Sequence, residues 1–141
     1  MISFTVPSVP IAQPRQRHSI RGAGDNAFVH NYTPTKHKVN DFKAVVRLAF
    51  SEAYQGPPLQ GPLTLKVAFI FPRTKNMIWK TRDMPRVPHS KKPDLDNCLK
   101  SLKDALSKLA WNDDAQVNQL VAVKHIASGD EAAHVTVEIS Q

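Results

Sequence analysis

With one cysteine, Cys98, in 141 residues, the chain can form no internal disulfide and no cysteine-based zinc site. Its six histidines show neither H-E-x-x-H nor any paired metal spacing, which removes the common zinc hydrolases. No apolar run approaches the length of a membrane span. The N-terminus, Met1 to Pro7, lacks the charged start and long apolar core of a secretory signal. These absences predict a cytoplasmic protein with no membrane partner. Repeats and low-complexity tracts are missing too. An apolar content of 41% is ordinary for a globular chain, so wholesale disorder is excluded. The length fits one domain, residues 1–141, with a core of its own.

Acids are scarce where bases are dense. Residues 1–92 hold 15 Lys/Arg against Asp25, Asp41, Glu52 and Asp83, a net of +11. Residues 93–141 hold 4 against 8 acids, a net of −4, and the halves sum to +7. A cationic half suits a polyanion such as nucleic acid, and an acidic half suits a metal. A dipolar surface with no partner is the plainer alternative.

Alternation at Ile2, Phe4 and Val6 predicts a short strand, stopped by Pro7 and Pro10. Residues 7–33 read as an extended loop carrying Arg15, Arg17 and Arg21, whose guanidiniums either grip phosphate or keep the loop soluble. Thr33-Pro34 looks like a helix entry. Phe42, Val45, Val46, Ala49, Phe50 and Ala53 then recur at helical spacing and predict a helix over 35–55. Its Lys36, Lys38, Lys43 and Arg47 face either DNA or plain solvent. Leu63, Leu65, Val67, Phe69 and Phe71 alternate with Thr64, Lys66, Ala68 and Ile70, a strand pattern.

Residues 73–92 follow, with Arg73, Lys75, Lys80, Arg82, Arg86, Lys91 and Lys92 against Asp83 alone. Prolines at 85, 88 and 93 keep regular structure out of the second half. The one-signed charge, with Trp79 available to stack on a base, suggests a substrate loop that orders on DNA. A flexible linker is the alternative.

After Pro93, the residues Leu95, Cys98, Leu99, Leu102, Ala105, Leu106 and Leu109 form one helical stripe. Asp96, Lys100, Lys103, Asp104 and Ser107 take the other side. Cys98 is therefore a small buried hydrophobe rather than a nucleophile. Residues 117–126 and 133–139 read as two strands joined through Ser128-Gly129-Asp130. The order implies an α+β domain with a mixed or antiparallel sheet and two main helices.

The chemistry concentrates at Lys92-Pro93-Asp94-Leu95-Asp96-Asn97, with Lys100, and at Trp111-Asn112-Asp113-Asp114-Ala115-Gln116-Val117. Clustered acids repel one another and gain a use when a divalent cation lies between them. Asp94 and Asp96 would diverge by about 200° on a regular helix. They share a metal only if Asp94 sits at or before the cap, which Pro93 favours. Lys100 is four residues after Asp96, on its face, and can reach a phosphate held by the metal. Asp113 and Asp114 arise at the far end of the helix and must return in space. Magnesium suits hard oxygen ligands completed by substrate phosphate. The structural alternative makes Asp94 a cap, Asp96 a dipole acid and Asn112–Asp114 a turn. An EF-hand is excluded, because Leu99 stands where its glycine belongs. Restriction-type nucleases place the second acid and lysine two apart on a strand, unlike Asp96 and Lys100.

These two segments, with Asp104 and the Pro14-Arg15-Gln16-Arg17 loop, resemble the RusA family of Holliday-junction resolvases. The resemblance implies that Asp94, Asp96 and Asp114 hold magnesium, that Lys100 is the catalytic lysine and that Asp113 is an additional ligand. Asp104 matches a family acid. It also implies a homodimer, often phage- or prophage-encoded, that cuts opposing strands of a four-way junction in recombination and repair. A nuclease of broader branched substrates, such as flaps and forks, and a junction-binding module that cuts nothing are the alternatives.

Overall fold

The computed structural model describes residues 1–14, 17–22, 24–32 and 37–141. Strand β1 (Ile2–Val6) leads to a two-stranded ribbon, β2 (Arg17–Arg21) and β3 (Phe28–Tyr32), then to helix α1 (Lys38–Ala53) and strand β4 (Leu63–Phe71). A short β5 (Val87–Pro88), helix α2 (Leu95–Leu106), β6 (Val117–Ile126) and β7 (His134–Ser140) complete the chain. Five strands form one sheet in the order β1-β7-β4-β6-β5. All neighbours are antiparallel except β4 and β6, which run parallel. A parallel pair needs a long crossover, and here it contains α2. The fold is α+β with a mixed sheet and two helices, as the sequence predicts.

Both helices cover one face of the sheet. Alternate residues of β4 (Leu63, Leu65, Val67, Phe69, Phe71) and of β7 (Val135, Val137, Ile139) are buried there with Phe4 and Val6. Above them lie Phe42, Val46 and Phe50 from α1 and Cys98, Leu102, Ala105 and Leu106 from α2. Each large apolar side chain buried this way contributes about 1.5–3 kcal/mol. The predicted α2 stripe is therefore the helix's inner face, with Leu95, Leu99 and Leu109 at its partly buried margins.

Four sequence expectations change. Residues 7–33 contain the β2–β3 ribbon rather than loop alone, paired from Arg17↔Tyr32 to Arg21↔Phe28. Helix α1 starts at Lys38, later than the Thr33-Pro34 signal, and its cap is His37, whose side chain accepts a hydrogen bond from Val39 N at 3.1 Å. Residues 33–36, including Lys36, and Arg15 lie outside the described residues. Lys43 does not face solvent: it is 8% exposed, and its Nζ meets Asp104 Oδ2 of α2 at 2.5 Å. Arg47 is exposed, but its Nε turns to α2, donating to Ala105 O at 3.1 Å.

Candidate active site

The entry to α2 is pinned from behind. Lys124 of β6 donates its ammonium to Lys91 O at 2.6 Å and to Pro93 O at 2.5 Å. Asp94 then stands at the cap with extended backbone, φ −68° and ψ 145°, and its carbonyl accepts the first helical bond from Cys98 N at 3.1 Å. Its carboxylate makes no capping bond. Asp94 thus sits off the helical path, and its side chain remains exposed. Asp96 occupies the first turn, where the helix dipole favours an anion without further contacts. Among the described residues Asp96 and Lys100 form no ion pair despite their spacing.

Asp114 arrives from the other end of α2. The chain reverses through Lys108, whose N–H donates to Trp111 O at 2.7 Å, and Trp111 is fully buried in the core. From that anchor its indole Nε1 donates to Asp114 Oδ1 at 2.8 Å and orients an otherwise exposed carboxylate. Gln116 fixes the same turn. Its Oε1 accepts from Asn112 N at 2.9 Å and Asp113 N at 3.0 Å. Its Nε2 donates to Leu59 O at 2.9 Å and Gly61 O at 3.1 Å. Asp113, by contrast, caps the following 3-10 turn, Oδ1 accepting from Ala115 N at 2.9 Å in a reciprocal box with Gln116. Asp113, expected as an additional metal ligand, thus has its Oδ1 engaged in the turn.

Asp96, Lys100 and Asp114 meet at the wall of one cleft of about 600 Å³. Asp104, Lys43 and Lys103 add a second set of charges, and Leu99 and Leu120 supply its apolar lining. Gln13, held by its N–H to Asn97 O at 2.9 Å, closes one side. The Lys43–Asp104 pair is closed on itself. Asp96, Asp114, Lys100 and Lys103 therefore remain as charges without an ion-pair partner among the described residues. Asp94 stands outside the cleft lining. A hollow of about 480 Å³ on the open face of the sheet contains one acid, Glu138, and no such cluster.

No three His, Cys, Asp or Glu side chains converge as a ready metal cage among the described residues. The donor set still fits magnesium, which is usually held by one or two carboxylates with waters and substrate phosphate rather than by a full protein cage. Asp96 and Asp114 are two hard oxygen donors at one cleft. A softer transition metal would call for imidazole or thiolate, and Cys98 is buried with its thiol pushed up to about 11 by burial.

The basic segment 73–92, expected as a substrate loop that orders on DNA, makes several contacts of its own. Arg73 donates to Met77 O at 2.6 Å, Pro85 O at 2.9 Å and Ala127 O at 3.0 Å, so its guanidinium holds the loop together. Trp79 packs against two guanidiniums, with the Arg73 and Arg82 Cζ atoms 4.7 and 4.0 Å from its ring centroid. Arg86 forms a bidentate pair with Glu131. Lys75, Lys80, Arg82, Lys91 and Lys92 present exposed side chains. Sequence reasoning missed Gln13, Lys124, Trp111 and Gln116 as supports. The Trp111-to-Asp114 spacing was the available signal for one of them.

A mixed-sheet α+β domain that brings acids and a lysine to one cleft, in a chain that also carries a basic segment, has the makings of a phosphodiester-cleaving enzyme. The sequence pattern of the family Endodeoxyribonuclease RusA matches residues 7–140. The chain is also 35% identical over 128 residues to "Uncharacterized protein YqaN" of Bacillus subtilis (strain 168), covering 87% of this chain and 86% of that protein. The chain belongs to the RusA family of endodeoxyribonucleases. No helix among the described residues is long and apolar enough to cross a membrane.

Proposed function

We propose that residues 1–141 act as one unit, a magnesium-dependent homodimeric endonuclease that resolves four-way DNA junctions by paired, symmetric nicks. The observation that carries this reading is the meeting of Asp96, Lys100 and Asp114 at one cleft from opposite ends of α2. Asp96 and Asp114 would hold the cation, with Asp94 at the helix cap and Asp113 at the following turn as the further carboxylates proposed for it. Lewis-acid polarisation of the scissile phosphate and a more acidic water are the chemistry a bound divalent cation supplies. Lys100 places its ammonium where charge builds on the phosphoryl oxygens. The indole of Trp111 fixes which Asp114 oxygen faces the cleft. Leu99 and Leu120 make part of the cleft wall apolar.

Lys75, Lys80, Arg82, Lys91 and Lys92 are the proposed phosphate contacts, with Arg15 and Arg17 from the N-terminal segment. Arg73 and Arg86 serve the loop's shape instead. Two equivalent cleavage sites related by a two-fold axis suit a nearly two-fold junction. The protein would act in the cytoplasm on recombining DNA, and phage or prophage encoding is part of the same proposal.

The test uses an end-labelled four-way junction and its linear duplex arms, each with magnesium or EDTA. The native protein is expected to nick the junction in symmetric pairs, with magnesium only. Asp96→Asn and Asp94→Asn should lose cutting while keeping junction binding, because a repulsive carboxylate is removed. Equal cutting of flaps and forks would favour the broader nuclease. Tight binding without cutting in magnesium or manganese would overturn the resolvase reading.

A further inference from the structure

The β2–β3 ribbon is not joined to the five-stranded sheet, and it carries a feature the active site leaves unexplained. Ile20 and Val29 are direct cross-strand partners, so their side chains leave the same face. They are 76% and 61% exposed. Two-stranded ribbons are marginal in water unless an apolar face is covered. This one instead presents its β-branched pair outward. Its turn is specified by sequence: Gly22 has φ +83°, and a Cβ there would lie 2.7 Å from Asn26 O.

Charge identifies what covers the pair. Residues 10–38 hold Arg15, Arg17, Arg21, Lys36 and Lys38 against Asp25 alone. An apolar pair in a cationic segment matches a polyanion with an apolar interior, which is the base stack of DNA. Aliphatic side chains can wedge between base steps, and that costs least where stacking is already interrupted. The ribbon is also near the chemistry. Gln13 lines the cleft, and β2 starts four residues later, so the ribbon's root lies within about 14 Å of that wall by chain length. Five strand residues then extend it by about 17 Å.

We propose that the β2–β3 ribbon is a DNA-inserting arm. Ile20 and Val29 pack against exposed base faces at the branch point, and the cations of the same segment hold the flanking phosphates. The proposal rests on the junction-nuclease reading.

The test places 2-aminopurine at the branch point of a four-way junction and in a linear duplex, in EDTA so that nothing is cut. Native protein should raise the junction probe's fluorescence. The Ile20→Ser/Val29→Ser variant should melt at the native temperature and lose that rise. Its preference for junction over duplex should fall about tenfold, the equivalent of about 1.4 kcal/mol. Ile20→Phe, with a larger wedge, should equal or exceed the native rise. An undiminished rise in the serine variant, or a reduced one in Ile20→Phe, overturns the arm alone. So does a shift of the serine variant to a smaller species in solution, which would make the pair a contact between copies. Native protein that shows no preference for junction over duplex overturns the junction reading and the arm with it.

Discussion

Trp111→Phe should separate the indole's part in the core from its part in the active site. Trp111 is 0% exposed, so the smaller ring leaves unfilled space and is expected to cost about 1–3 kcal/mol of stability. The same change removes the 2.8 Å bond from Nε1 to Asp114 Oδ1. Hydrogen bonds to charged groups are worth about 1.5–3 kcal/mol when buried, and water on exposed Asp114 reduces this one to about 1 kcal/mol. A double-mutant cycle with Asp114→Ala in urea isolates that coupling.

If Asp114 holds the proposed cation, the functional consequence should exceed the stability coupling. A hydrogen bond that orients a metal-binding carboxylate typically changes metal affinity about 10–100-fold. The magnesium concentration giving half-maximal cleavage should therefore rise about tenfold or more in Trp111→Phe. Phe42→Leu, another core change of similar type, should lower the melting temperature and leave the magnesium titration in place. A titration curve for Trp111→Phe that superimposes on the native one would refute Asp114 as an oriented ligand. Coupling below about 0.3 kcal/mol, the usual limit of additivity, would refute the bond's energetic weight.

Gln116→Leu removes four hydrogen bonds, two within the Asp114 turn and two that clamp it onto Leu59 and Gly61, and should cost about 2 kcal/mol in urea unfolding, less than four full bonds because exposed partners regain water. A loss under about 0.5 kcal/mol, within the range of an ordinary surface change, would show that the turn holds without it. Arg86 beside Glu131 lowers that carboxyl to about 2, from an ordinary value of 4.5. Because the folded value is depressed, the pair's contribution, about 1 kcal/mol after solvent screening, is complete above the ordinary value and disappears as pH falls through the folded one. Arg86→Met should thus melt below native protein at pH 6 and with it at pH 2, and a gap that persists at pH 2 would contradict the assignment. Cys98, fully buried with its thiol pushed up to about 11 chiefly by burial, should react with a thiol reagent only as fast as the protein unfolds. Rapid labelling of folded protein would show that α2 opens locally.

What the sequence reveals depends on how locally each feature is encoded. Strand β4 shows its period of two, and α2 shows its stripe, because one face of each meets the core. The departure of Asp94 from the helix was legible because Pro93 immediately precedes it. Lys43 was legible too, had its position been weighted above its charge. Val39, Lys43, Val46 and Phe50 are spaced by four, three and four residues, which places the lysine within the buried stripe of α1. Its Asp104 partner is 61 residues away, and no local pattern indicates it.

Arg73 illustrates a different difficulty. A guanidinium in a basic run suggests phosphate, but prolines along this segment lack the N–H groups that normally satisfy nearby carbonyls. Arg73 supplies donors to those carbonyls instead. The site's alignment rests on the same kind of distant contact. Lys124 ties the chain just before Asp94 to β6, while Trp111 and Gln116 tie Asp114 to the core and to residues 59–61. The acids themselves carry no such information, which is why the sequence offers Asp113 beside Asp114 only as an additional ligand. Their contacts differ only through distant or turn-level partners: the buried indole bonds Asp114, and the backbone of Ala115 bonds Asp113.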